Sequence, residues 1–252
     1  MKKLLALSLL SAAFFAVAAE NPIYNMYSDE ITFSASFTDT LEADMANGKG
    51  EPRRIMMKDT PVTYKPGMFG KALASNSIMY DAAGNVDMRS PGTAVCWASP
   101  TWDSTPQKKE PGFTIFSIMG SSKDQVYDLI CGKMSNQPWN KGHLNAYVQY
   151  NYGKKGVTSC IIWDRGMVSQ WPAGEWHLFV VTWGNGTISY SVDGKKSSVS
   201  ELKEVLAAPT DWFTVRANTK FIVDEFTILN KRLTDEEIAK LYEAGLKAAG
   251  KK

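Results

Sequence analysis

The sequence predicts an all-β protein: two antiparallel sheets stacked as a sandwich, closed by a short C-terminal helix. Three observations carry this. Apolar stretches of strand length recur at short intervals from Phe113 to Val192, separated by clusters such as Gly120-Ser121-Ser122 and Gly184-Asn185-Gly186. Asn185-Gly186 and Asp193-Gly194 are the dipeptides that tight hairpins favour, because both central residues adopt positive φ there. The one clear helical pattern lies at the far end, so alternating β and α units are excluded.

Taken in order, Ile31-Thr-Phe-Ser-Ala-Ser-Phe37 alternates, and an extended strand would carry Ile31, Phe33, Ala35 and Phe37 on one face. A polar, Gly-containing segment from Thr38 to Lys65 follows, with a short strand expected at Ile55 to Met57. Further strands are expected at Ile78 to Tyr80, Gly92 to Trp97, Phe113 to Met119, Val126 to Cys131, Leu144 to Tyr150, Val157 to Trp163, Leu178 to Trp183, Ile188 to Val192 and Ile222 to Phe226. In the strand from Leu144, the residues Leu144, Ala146 and Val148 read as inward and Asn145, Tyr147 and Gln149 as the polar-aromatic face. Thr234-Asp-Glu-Glu237 is a capping box, in which hydroxyl and carboxylate satisfy donors that the first helical turn leaves free. Ile238, Leu241, Tyr242 and Leu246 then form an apolar stripe that has to dock on the outside of a sheet.

The ends and the composition narrow the setting. Met1-Lys2-Lys3, an apolar run from Leu4 to Val17 and small residues at Ala18-Ala19 have the pattern of a cleaved secretory signal, the run being too short to span a bilayer. Residues 1–19 are thus read as a signal peptide, 20–246 as one sandwich domain and 247–252 as a basic tail. The expected location is the periplasm, the cell surface or the extracellular space, with no membrane span after cleavage. Without Lys2 and Lys3, 26 basic residues face 26 acidic ones, so the field that nucleic acid binding needs is missing. Cys96, Cys131 and Cys160 allow at most one internal bridge. A Cys131–Cys160 pair meets an obstacle: the strand from Leu144 lies between them, and next-but-one strands sit roughly 9.5 Å apart, beyond the roughly 7 Å reach of a bridge. Whether any disulfide forms stays open.

The segment Trp176-His177 through Val181-Thr182-Trp183, Tyr190, Asp193-Gly194-Lys195 and Asp224-Glu225 to Leu233 resembles the laminin-G-like, concanavalin A-like lectin/glucanase superfamily. Gly67-Met-Phe-Gly-Lys-Ala-Leu73 and Gly92-Thr-Ala-Val-Cys-Trp97 resemble two further motifs of that family. The resemblance implies a two-sheet jelly roll and, for most members, binding without catalysis. It also implies a Ca²⁺ site at Asp224 with Asp39, although Asp39 is displaced by one residue from the family's Phe-Asp-Gly pattern. The other reading of Asp224 is a buried carboxylate that accepts backbone hydrogen bonds and holds the last strand.

Glycoside hydrolases of this fold place two carboxylates at alternating positions of one strand. No Glu-x-Asp-x-Glu run exists here, and Asp224 and Glu225, being adjacent, are expected on opposite faces. With only His143 and His177 and no HExxH or CxxC spacing, nucleophilic and zinc chemistry lack their residues. His177 reads as a positional imidazole. Trp97, Trp176 and Trp183 lie in strand patterns and read as core. Trp102, Trp139 and Trp171 instead lie in polar loops, where an indole can stack on a sugar ring or anchor a protein, and Tyr147 and Gln149 extend such a surface. The expected function is an exported non-catalytic module that recognises a glycan. A surface protein that binds protein partners through the same aromatics is the alternative, with a glycan-active enzyme third.

Overall fold

The computed structural model describes residues 20–103, 112–133, 143–150, 159–168 and 171–251. In chain order the elements are α1 (Ile23–Met26), β1 (Ile31–Ala35), β2 (Met45–Ala46), β3 (Arg54–Ile55), β4 (Tyr64–Pro66), β5 (Lys71–Leu73), β6 (Asn76–Asp81), β7 (Gly92–Pro100) and β8 (Phe113–Ser121). They continue with β9 (Val126–Lys133), β10 (His143–Tyr150), β11 (Ser159–Val168), β12 (His177–Gly184), β13 (Thr187–Val192), β14 (Ser198–Glu201), β15 (Thr210–Ala217), β16 (Phe221–Leu229) and α2 (Asp235–Ala248).

Two antiparallel sheets form the sandwich, consistent with a jelly roll. The larger runs β14-β13-β12-β7-β16-β1-β2, with β5 added beside β16 and β4 beside β5; the smaller runs β11-β10-β9-β8-β15-β6-β3. The two dipeptides do what hairpins ask of them. Asn185 and Gly186 have φ of 53° and 72°, Asp193 and Gly194 of 56° and 67°, so β12, β13 and β14 follow one another as a meander.

The sheets bury their faces differently, and the sequence patterns explain why. β7 and β16 are buried at every position, as strands covered on both sides must be. Their inward residues, with Phe33, Tyr80, Phe116, Phe179 and Phe213, fill the space between the sheets. Their outward residues, among them Val95, Trp97, Ile222 and Leu229, meet a second cluster made with Ile23 and Tyr27 around α1, Met68 and Phe69, and Ile238 and Leu241 of α2. The helix stripe docks as expected: Tyr242 stacks on Trp97 with ring centroids 5.9 Å apart. The capping box is present, and α2 runs through Ala248, taking in the first two residues of the expected tail.

Among the irregularities of strand register, two β-bulges change a reading made from sequence. The register slips between Ile31 and Phe33 against β16, so Ile31 joins the outer cluster while Phe33, Ala35 and Phe37 stay inside. The second lies in β16 between Asp224 and Thr227 opposite β7, with Glu225 at φ 54°. The strand β15 was not expected at all, although Phe213, Val215 and Ala217 alternate inward along it.

Cys96 and Cys131 are buried free thiols, and β10 does lie between β9 and β11. The side chain of Cys160 lies outside the described residues, as do residues 1–19. No helix among the described residues is long and apolar enough to cross a membrane.

Candidate functional site

The smaller sheet has one face that no described helix covers. Ile118, Leu129, Val148 and Phe213 point into the core, so by alternation the neighbouring residues point out. The register lines them up across five strands: Gln149 on β10, Asp128 on β9, Met119 on β8, Trp212 on β15 and Asp81 on β6. A second row runs Tyr147, Ile130, Ser117, Thr214 and Met79. Five strands span roughly 19 Å; Ser117 and Thr214 are fully buried in these rows, and Gln149, Tyr147, Asp128 and Trp212 are their half-buried polar and aromatic positions beside Met119 and Ile130. Arg216 is half-buried as well.

Its carboxylates lie near cations. Arg216 donates through Nε to Thr214 Oγ1 at 3.1 Å and reaches Ser117 Oγ at 3.5 Å, while the two hydroxyls bond each other at 2.9 Å. Burial pushes the Asp128 carboxyl up to about 6, an effect that the Arg216 guanidinium partly offsets. Asp128 Oδ1 is buried with no hydrogen-bond partner among the described residues. At the far edge Asp81 pairs with Arg53 at 3.2 Å and Lys49 at 3.8 Å. The face can hydrogen-bond and stack, and each of its carboxylates has a cation near it.

Trp102 and Trp171 come together at one end of the sandwich. Both meet Phe221, with centroids 5.8 Å and 6.4 Å away, and Asp103 accepts a 3.0 Å hydrogen bond from the Ala173 N–H, tying their segments. Neither stands free: both are half-buried against the core, and the Trp102 Nε1–H is buried without an acceptor among the described residues. Lys220 lies 5.2 Å from the Trp102 ring centre. Trp171 stacks on His177 at 3.8 Å. His177 is indeed positional, its Nδ1 2.9 Å from the Asp193 carboxylate, which also accepts the Leu178 N–H. Trp139 lies outside the described residues. Trp97, Trp176 and Trp183 are buried.

The outer face of the larger sheet holds the remaining candidates. Asp224, 1 % exposed, accepts the N–H groups of Met68 and Phe69 at 2.7 Å and 3.2 Å through Oδ2. Glu225, 4 % exposed, accepts from Asn21 at 3.0 Å and Tyr24 at 3.2 Å. Both therefore lie on the same outer side, not on opposite faces, because the bulge gives β16 an extra residue exactly between them and the next paired position. Burial, then the neighbouring Glu225, drives the Asp224 carboxyl well up; burial pushes Glu225 up to about 7. Asp39 is exposed and pairs with Lys71. Ca²⁺ needs a cage of oxygens. Asp224 is engaged by two backbone donors, Asp39 faces an ammonium, and no three His, Cys, Asp or Glu side chains converge among the described residues. The structural reading of Asp224 describes the bonds of Oδ2; Asp224 Oδ1 is buried with no hydrogen-bond partner among the described residues.

Asp128, Trp212 and Arg216 were missed from sequence. The signal was available: the inward alternation of Phe213, Val215 and Ala217 sends Trp212 and Arg216 to the opposite face.

Comparison with known proteins agrees with this architecture. The family model described as concanavalin A-like lectin/glucanases superfamily matches residues 91–239, more than half of the chain. No curated protein matches the sequence. Among solved structures, Domain 4 of AbnA, an extracellular GH43 arabinanase from Geobacillus stearothermophilus in complex with arabinotriose, aligns with TM-score 0.55 and 18 % identity, over 84 % of this chain and 98 % of that one. The binding domain of botulinum neurotoxin DC in complex with SialylT aligns with TM-score 0.58 and 16 % identity, over 86 % and 51 %. A botulinum neurotoxin type C structure, whose title ties cell entry to two ganglioside molecules, aligns with TM-score 0.59 and 15 % identity, over 88 % and 53 %. This chain spans about half the length of the toxin chains, and at such identities the likeness is one of fold. Matched motif and matched fold coincide on the same sandwich, and the chain belongs to the concanavalin A-like lectin/glucanases superfamily.

Proposed function

We propose that this protein is an exported glycan-binding module whose ligand lies across the outer face of the smaller sheet, with Tyr147, Gln149 and Trp212 as contacts. The observation that carries the reading is the asymmetry between the sheets. One outer face is covered by helices over an apolar cluster, whereas the other is polar, aromatic and uncovered by any described helix. A neutral polyhydroxylated chain suits such a surface: its hydroxyls meet Gln149, Asp128 and Arg216, and its apolar ring faces meet Tyr147 and Trp212. Trp102, Trp139 and Trp171 belong to the same proposal as contacts at or beyond the loop end. Structural neighbours in complex with arabinotriose and with SialylT support a carbohydrate over a protein partner.

Retardation in polyacrylamide gels containing arabinan or other neutral polysaccharides tests it. Tyr147→Ala and Trp212→Ala are each expected to weaken retention about tenfold, the loss of one good stacking or hydrogen-bonded contact, with melting temperature little changed. Wild-type protein that migrates identically in every glycan gel, or variants that bind like wild type, would sink this face as the site. Release of new reducing ends from those polysaccharides would point instead to an enzyme.

A further inference from the structure

At another corner of the molecule, where β1 begins, β12 and β16 end and the segment after β6 turns back, lies a cavity of about 420 Å³. That volume falls in the range of small-molecule sites. Its residues belong neither to the sheet face nor to the loop tryptophans.

The cavity is a built structure. Asn85, fully buried, accepts the Gly48 N–H at 2.8 Å and donates to the carbonyls of Lys49 and Asp81 at 2.8 Å and 3.0 Å. Thr32 Oγ1 donates to the Asn85 carbonyl at 2.6 Å. The two segments so joined press together closely: a Cβ on Gly48 would lie 1.9 Å from the Ala83 carbonyl oxygen, and one on Gly84 2.9 Å from the Gly48 Cα. The opposite wall is pinned by the Trp183 indole, whose Nε1–H donates to the Ser90 carbonyl at 2.8 Å. Walls fixed in this way leave little ordering cost for a ligand.

Its lining also states what it would accept. Its apolar part is small: Pro91 is exposed at the lining, while Ile228, Leu229 and the indole of Trp183, each 1 % exposed, lie behind it. Asp87 supplies the one carboxylate, and Arg89 neutralises it through two hydrogen bonds of 2.8 Å and 2.9 Å. Asn47, Asn230 and Ser90 are exposed at the lining, and their side chains make no hydrogen bond among the described residues. Carboxamides and a hydroxyl beside the exposed Pro91, without an uncompensated charge, match a small ring that carries several hydroxyls and no charge. An ion would lose its hydration there and gain no counter-charge.

We propose that this cavity is a second binding site, separate from the sheet face, that holds a single uncharged sugar ring through Asn47, Asn230 and Ser90. It rests on the glycan reading for the class of ligand and on none of that reading's residues. A molecule with both sites would engage one glycan, or two, at two points, and so retain it more tightly than either site alone.

Titration of the ¹⁵N-labelled protein with glucose, galactose and arabinose, and with their methyl glycosides, tests the site by amide and indole chemical shifts. Saturable shifts are expected at Asn47, Gly84 to Asp87, Ser90 and the Trp183 indole N–H. Methyl glycosides that bind as well as free sugars identify the end of a glycan chain as ligand; binding of free sugars alone identifies the monosaccharide. The Asn47→Ala/Asn230→Ala double variant is expected to bind at least about tenfold more weakly at an unchanged melting temperature. Glucuronate that shifts the same signals at equal or lower concentration overturns the neutral-ring assignment. Sugars that shift only Tyr147, Gln149 and Trp212 overturn the second site and leave the sheet face standing. No shift anywhere, together with no gel retardation, removes both.

Discussion

Glu225 shows how one residue couples local backbone, burial and charge. Its positive φ turns its side chain out on the same side as Asp224, into a niche where Asn21 and Tyr24 bond its carboxylate. Burial raises its carboxyl from 4.5 to about 7, and Asp128 on the other sheet rises from 3.8 to about 6. A carboxyl whose folded pKa exceeds its unfolded one binds more protons when folded, so stability is greatest below the unfolded pKa and falls as pH rises through the folded one. The melting temperature is therefore expected to be higher near pH 5 than near pH 8. Glu225→Gln keeps a polar partner for Asn21 and Tyr24 while removing the buried charge; it should raise stability at pH 8 by on the order of 2 kcal/mol and flatten the slope between pH 5 and 8. Thermal melts of the two proteins across that range check this, and a variant with the wild-type slope would assign the pH dependence elsewhere. None of this was legible in the sequence, because an adjacent Asp-Glu pair in a regular strand splits between the faces, and only the bulge sets both on one.

Among the elements, α2 is the one whose formation and docking can be tested apart. Its start is local chemistry: Thr234 accepts the Glu237 N–H at 3.2 Å and Glu237 accepts the Thr234 N–H at 2.9 Å. Thr234→Ala should cost about 1 kcal/mol, read from a denaturant titration. Its docking depends on a close approach that helix propensity would misjudge. Gly245→Ala in an isolated helix would gain about 1 kcal/mol. Here the new Cβ would lie 2.4 Å from Trp97 Cζ2, on an indole that is itself buried. The expected result is a loss of about 2 kcal/mol from overpacking, and a rise in stability would mean that the helix does not seat on Trp97. The sequence announced this helix, its cap and its apolar stripe, because each depends on residues within a few positions of one another. β15 was missed although Phe213, Val215 and Ala217 alternate along it, and the Ile31 slip had no local signal, since it arises from pairing with a strand almost 200 residues away.

For the molecule as a whole, the two sheets divide the work. The larger is apolar inside and carries the helices on an outer face that mixes an apolar cluster with buried polar groups; the smaller shows a polar-aromatic face. One consequence concerns metal. Since two backbone donors engage Asp224 Oδ2 and Lys71 pairs with Asp39, a chelator such as EDTA is expected to leave the melting temperature unchanged. A fall of several degrees, reversed by Ca²⁺, would require an ion site that these residues do not describe. By itself the sequence determined the all-β class, both tight turns, the terminal helix and the family, since periodicity, turn chemistry and motif are written in neighbouring residues. Only the tertiary structure decided which sheet face is covered, which strand slips by a residue and which side chains from β8, β9, β10 and β15 share a surface. Those depend on cross-strand register, a relation between residues far apart in the chain that no local pattern encodes.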